Sequence, residues 1–173
     1  MKVSGPHVYA IRFDSSGIRQ RYTLSQGSKK SWDPIPTFRS PLTSKSPKLY
    51  VFSDGRWPYY VGITRQPIST RLNYGFKASA EKRLSGYGGY AFKNHETAAV
   101  LHVWVEEDAP SRNPKNMGTV EAELVYRIRA KGAWPKYQTE IHFFPFESIH
   151  TDVAGSIFKV LSSLKSKPLP LPV

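Results

Sequence analysis

Along residues 7–13 apolar and polar positions alternate, with Tyr9, Ile11 and Phe13 on one side. A period of two predicts a strand with one apolar face. Asp14-Ser15-Ser16-Gly17 supplies a turn, and Ile18, Gln20, Tyr22 and Leu24 follow at the same period. The pair predicts a β-hairpin whose other face carries Arg12, Arg19 and Arg21. Residues 25–47 lose the pattern and turn rich in Ser, Pro and Lys, which predicts a loop, here a basic arm. Two short apolar runs, 48–53 and 59–63, then flank Asp54-Gly55-Arg56-Trp57-Pro58, which predicts a second hairpin. Pro67 suits the first turn of a helix carrying Ile68, Arg71 and Leu72, with a bend or break expected at Tyr74-Gly75. Residues 85–90, glycine-rich, are a loop. Residues 98–106 are apolar on both faces, as in a central strand covered on two sides. After a Pro/Asn/Gly loop over 109–118, a helix is expected from Thr119 to Lys131, stopped by Gly132 and Pro135. A short strand follows over 139–144. From Ser148 to Lys165 the residues Ile149, Val153, Ile157, Leu161 and Leu164 form one helical stripe, ahead of an extended Pro-rich tail.

The order of elements predicts an α+β chain, one domain with additions. Charge then narrows the function. Lys and Arg number 25 against 13 Asp and Glu, a formal net charge of +12. Such an excess favours a polyanionic partner, nucleic acid before an anionic membrane surface. Residues 1–47 hold eight Lys or Arg against two Asp. There are no cysteines, which excludes disulfides, thiol catalysis and Cys-based zinc sites. Neither a signal-peptide pattern nor a membrane-length apolar run is present, so a soluble, cytoplasmic protein with no membrane partner is expected.

Glu121 is the most informative residue by physics alone. At about 100° per residue, Val120, Leu124, Val125 and Ile128 span an arc of roughly 140°, and Glu121 falls inside it. A carboxylate on a buried face needs an arginine, hydrogen bonds or a metal ion to compensate it. The plainer reading is a glutamate that reaches water past a frayed first turn. Arg71, beside Ile68 and Leu72, is either a surface arginine with its stem on the core or an anion ligand near a helix N-terminus. Arg65, just before that helix, supports the second. Tyr50 and Tyr60 are ordinary core tyrosines unless Arg71 and Glu121 lie beside them. Regular alternation puts Tyr59 and Tyr60 on opposite faces, with Tyr60 sharing the parity of Tyr50 and Gly62.

Lys48-Leu49-Tyr50 and Tyr60-Val61-Gly62, followed by the Arg71 helix and the Glu121 helix, resemble the core of the GIY-YIG nucleases. Trp134-Pro135-Lys136-Tyr137-Gln138 resembles that family's closing Pro-x-Tyr-Asn segment, with Gln138 where Asn is usual. The likeness covers residues 48 to about 142. It implies a small mixed or antiparallel sheet flanked by helices over 48–145, to which 1–47 adds a hairpin and basic arm and 146–173 a helix and tail. It also implies that Glu121 binds one divalent cation, Mg²⁺ or Mn²⁺, that Arg71 contacts phosphate, and that Tyr50 and Tyr60 form the tyrosine pair, one serving as general base.

The implied activity is metal-dependent hydrolysis of DNA phosphodiesters, with restriction, repair and mobility of a genetic element all open as roles; a restriction role would favour a homodimer, and RNA stays open as a substrate. Arg65, Lys48, Arg19, Arg21, Lys29 and Lys30 are the expected nucleic-acid contacts, with Tyr87 and Tyr90 as stacking faces or plain loop residues. His142 and Gln138 are secondary candidates. His102 reads as a satisfied core or rim residue. The competing reading is a nucleic-acid-binding module that keeps the fold and does not cut.

Overall fold

The computed structural model describes residues 1–24, 31–78, 89–107, 115–138, 141–145, 147–169 and 171. Lys29, Lys30 and Tyr87, and the first two positions of the strand expected over 139–144, lie outside them. Six strands form one sheet: β1 (Val3–Asp14), β2 (Gly17–Leu24), β3 (Trp32–Pro34), β4 (Lys48–Ser53), β5 (Pro58–Thr64) and β6 (Ala98–Glu106). Their order is β3-β2-β1-β6-β4-β5 and every pairing is antiparallel. Among the described residues three α-helices, α1 (Ile68–Lys77), α2 (Asn116–Ala130) and α3 (Ser148–Ser163), and a 3₁₀ turn over Ala91–Asn94 accompany the sheet. The fold is therefore α+β with an antiparallel sheet. No described helix is long and apolar enough to cross a membrane.

Two apolar clusters cover the sheet. On one face Tyr9, Ile11, Tyr50, Phe52 and Leu101 pack with Ile68, Leu72 and Phe76 of α1. On the other Leu49, Val51, Val61 and Trp104 meet α2 and α3 through Leu124, Ile128, Val153 and Ile157. β6, between β1 and β4, is buried on both faces as its composition predicts. The N-terminal hairpin extends this same sheet, because β1 pairs with β6 from Val3 to Arg12. The arm is also less detached than expected. Over residues 31–47 it forms β3 and buries Ile35, Phe38 and Leu42 in the first cluster.

Two irregularities overturn simple alternation. The β1–β2 register shifts between Arg12 and Phe13, so Phe13 faces Ile18 but Arg12 faces Gln20 and Ile11 faces Arg21. One inserted residue exchanges the faces of everything beyond it. Arg12 and Arg21 therefore lie on opposite sides of the sheet, not on one basic face. Likewise β4–β5 shifts between Phe52 and Ser53, which leaves Tyr59 as an extra residue between paired Pro58 and Tyr60. Tyr59 and Tyr60 consequently pack on the same cluster. Residues 141–145 form no strand, α2 begins three residues earlier than expected, and α1 runs unbroken through Gly75.

Candidate functional site

β4 and β5 set Tyr50 opposite Gly62. A Cβ on Gly62 would stand 2.6 Å from the Tyr50 hydroxyl and 2.9 Å from Tyr60 Cε1, so only glycine lets both rings lie across this strand. The two rings are 6.1 Å apart. α1 crosses above them, anchored by Ile68 and Leu72, and Arg71 Nε donates a 3.0 Å hydrogen bond to the Tyr50 hydroxyl oxygen. Tyr50 is fully buried, whereas Tyr60 and Arg71 are half-buried and form the mouth of the group.

Glu121 approaches from the other face of the sheet at its β5 edge. Gly118, one helical turn earlier, lies where a Cβ would sit 3.7 Å from Ile63 Cδ1, so this side of α2 is turned to β5. Glu121 is buried at 8 % exposure. Burial pushes its carboxyl up to about 8, and the Arg71 charge pulls the other way. The two helices flank the edge strand, with the Arg71 charge near enough to act on the Glu121 carboxyl. Among the described residues no group of three His, Cys, Asp or Glu gathers around it.

Residues 134–138 close the site from outside. Tyr137 N–H donates to Tyr59 C=O (2.9 Å), and Val61 N–H donates to Gln138 Oε1 (3.0 Å). The edge strand β5 gains a side-chain partner where another strand would otherwise pair. Gln138 thus pins Tyr60-Val61-Gly62 from the solvent side. Tyr59, by contrast, is buried against Phe52, Phe92 and Tyr137 and burial pushes its phenol well above the usual range. That makes Tyr60, not Tyr59, the adjacent tyrosine able to face a ligand.

No family model, curated protein or solved structure matches the chain.

The remaining expected residues separate. Lys48 is buried, and its ammonium donates to the carbonyls of Ser44, Ser46 and Gln66. Burial pulls it down to about 8. Three carbonyls occupy its three protons, so it braces the start of β4 instead of facing a phosphate. Arg65 is exposed between β5 and α1. Arg19 is bound to Asp14 at 2.6 Å and to Ser16, which offsets its charge. Arg21 donates to Pro36 C=O (3.3 Å) and lies over Phe38. Both line an open groove with Tyr22, Pro34 and Pro36, away from the tyrosines in sequence and on the opposite end of the sheet. His142 is exposed, its ring 6.5 Å from Phe144. His102 is buried at 1 % exposure with neither ring nitrogen partnered among the described residues, unlike a satisfied core histidine.

Tyr90 was a candidate for stacking on bases, but it is buried and unavailable for that. Its hydroxyl instead lies 3.1 Å from that of Tyr50, and the Arg71 guanidinium sits 5.9 Å from its ring centre. Gly75 explains the unbroken α1, since a Cβ there would overlap the Tyr90 ring. The sequence signal was present in both residues. Their adjacency was not.

Proposed function

We propose that this chain is a metal-dependent endonuclease that hydrolyses phosphodiester bonds in DNA. The observation that carries the reading is the position of Arg71. It binds the Tyr50 oxygen directly and sits near enough to the buried Glu121 to act on its charge. A phenol, a guanidinium and a carboxylate from separate elements share one edge of the sheet. The net charge of +12 supplies attraction for a polyanion of either DNA or RNA type.

The donor set fits a divalent ion of the Mg²⁺ or Mn²⁺ kind. Glu121 is a hard oxygen ligand and, among the described residues, it has no competing hydrogen bond. A single carboxylate suits an ion that keeps several waters. When bound, the ion would neutralise charge on the phosphate and leaving oxygen. Tyr60, half-buried at the mouth, would as its phenolate receive the proton of the attacking water. Arg71 would present the terminal part of its fork to a phosphate oxygen. Tyr50, buried beneath it, would hold the Arg71 guanidinium in place through its hydroxyl oxygen. Gln138 holds the strand that carries Tyr60.

The test is plasmid nicking with Mg²⁺ or Mn²⁺, comparing the native chain with Glu121→Gln and Arg71→Ala. Metal-dependent nicking that falls at least 100-fold in both variants is expected, on the scale of losing a main electrostatic contribution (~10²–10³). Equal background in all three would overturn the reading. A binding module that does not cut is favoured by one observation. A carboxyl raised to about 8 is largely protonated at neutral pH until a cation displaces the proton. Unchanged DNA affinity with no nicking would establish that module.

A further inference from the structure

We infer that Tyr90 is a positioning residue for Tyr50 in the proposed cleavage, on which this inference rests. Three observations carry it. The Tyr90 hydroxyl lies 3.1 Å from the Tyr50 hydroxyl and can donate to it, on the same oxygen that accepts from Arg71 Nε at 3.0 Å. The Tyr90 ring is fixed on every side. It stacks on Phe92 with centres 4.8 Å apart, meets Tyr60 edge-on at 5.3 Å and Phe76 at 5.3 Å, and lies against Gly75. It is 1 % exposed, so neither water nor a nucleobase competes for it.

The consequences are chemical. A phenol oxygen has two lone pairs for acceptance. Donation from both Arg71 and Tyr90 fixes where the Tyr50 oxygen sits, and with it the Arg71 guanidinium that faces the phosphate. A group that acts in a transition state has to be held in place before the substrate arrives. Tyr90 also touches Tyr60 and lies under Arg71, so one buried ring sets the spacing of the three groups at the mouth. The glycine of α1 serves this arrangement. A side chain at Gly75 would overlap the Tyr90 ring and push it away from Tyr50.

Tyr90→Phe tests this, because it keeps the ring and removes only the hydroxyl. Melting is compared first, and a retained transition shows that the variant folds. On saturating duplex DNA with Mg²⁺ we expect kcat to fall about 10–100-fold, on the scale of a misplaced catalytic contact, with KM changed less than about twofold. An unchanged kcat, or an effect on KM alone, would overturn the inference. A second readout is independent of cleavage. With ¹³Cζ-labelled tyrosine, the Tyr50 resonance (assigned through Tyr50→Phe) should shift in Tyr90→Phe. If the native chain does not cut DNA, the nuclease reading falls by itself. The Tyr90–Tyr50 hydrogen bond is then judged by that resonance, and no shift overturns it.

Discussion

Glu121 and His102 are two buried titratable side chains whose effects on stability have opposite signs. Glu121 goes up from 4.5 to about 8 on burial. The native state then keeps a proton that the unfolded chain has lost, so stability falls as pH rises from about 4.5 to 8. His102 goes down from 6.5 to about 4, also by burial. There the unfolded chain binds the extra proton, so stability falls as pH drops from about 6.5 to 4. Between pH 4.5 and 6.5 the two slopes oppose each other, and single variants should separate them. Glu121→Gln should raise stability at pH 7.5 by on the order of 3 kcal/mol, or about 6–12 °C in Tm, and leave pH 4.5 unchanged. His102→Leu should remove a comparable loss, about 3 kcal/mol, on the acid side. Thermal melts at pH 4.5, 6 and 7.5 check both. A cation that binds Glu121 replaces its proton. Millimolar Mn²⁺ should therefore raise Tm at pH 7.5 in the native chain and have no effect in Glu121→Gln.

At the scale of elements, the edge strand β5 is where site and fold meet. Its Val61 N–H is held by the Gln138 side chain and its Tyr59 C=O by the Tyr137 N–H. Gln138→Ala removes one of these bonds. It should cost about 1 kcal/mol of global stability. Hydrogen exchange should speed up at Val61 far more than at Val51, which lies on β4 with β5 on one side and β6 on the other. A uniform change across both strands would show that Gln138 does not pin the edge. The elements themselves were largely legible in the sequence. β4, β5, β6 and α3 follow from runs, turns and stripes, because burial imposes periodicity directly. The two register shifts were not legible, since a period of two assumes that no residue is inserted. The β4–β5 bulge put Tyr59 on the face of Tyr60, and the β1–β2 bulge separated Arg12 from Arg21. In the site, Tyr50, Arg71 and Glu121 could be named from local pattern and resemblance. The contact of Tyr90 with Tyr50 and the bracing role of Lys48 could not, because their partners are distant in the chain or are backbone carbonyls.

For the whole molecule, the decisive fact is that the N-terminal hairpin is part of the central sheet. The sequence reads as a catalytic core over 48–145 with a basic hairpin and arm in front. In the structure β6 lies between β1 and β4, and its eight paired positions with β1 run from Val3 to Arg12. Tyr9, Ile11, Phe13, Phe38 and Leu42 belong to the same cluster as Tyr50, Leu72 and Tyr90. Removing residues 1–47 would expose one edge of β6 and the face of the cluster beneath α1. An exposed apolar edge strand invites pairing with other chains. Large losses from a shared core also exceed the marginal stability of a domain, about 5–15 kcal/mol. A chain starting at Lys48 is therefore expected to aggregate or lack a cooperative melt, and to lose the Arg71–Tyr50 geometry with it. The chain lacking only residues past Lys165 should still melt cooperatively, since the tail contributes Leu169 at the rim of the second cluster. Size-exclusion chromatography and thermal melts of both truncations distinguish the cases. A monomeric, cooperatively folded 48–173 fragment would mean that the hairpin is an appendage after all, and that the site needs only the β4–β5–β6 half of the sheet.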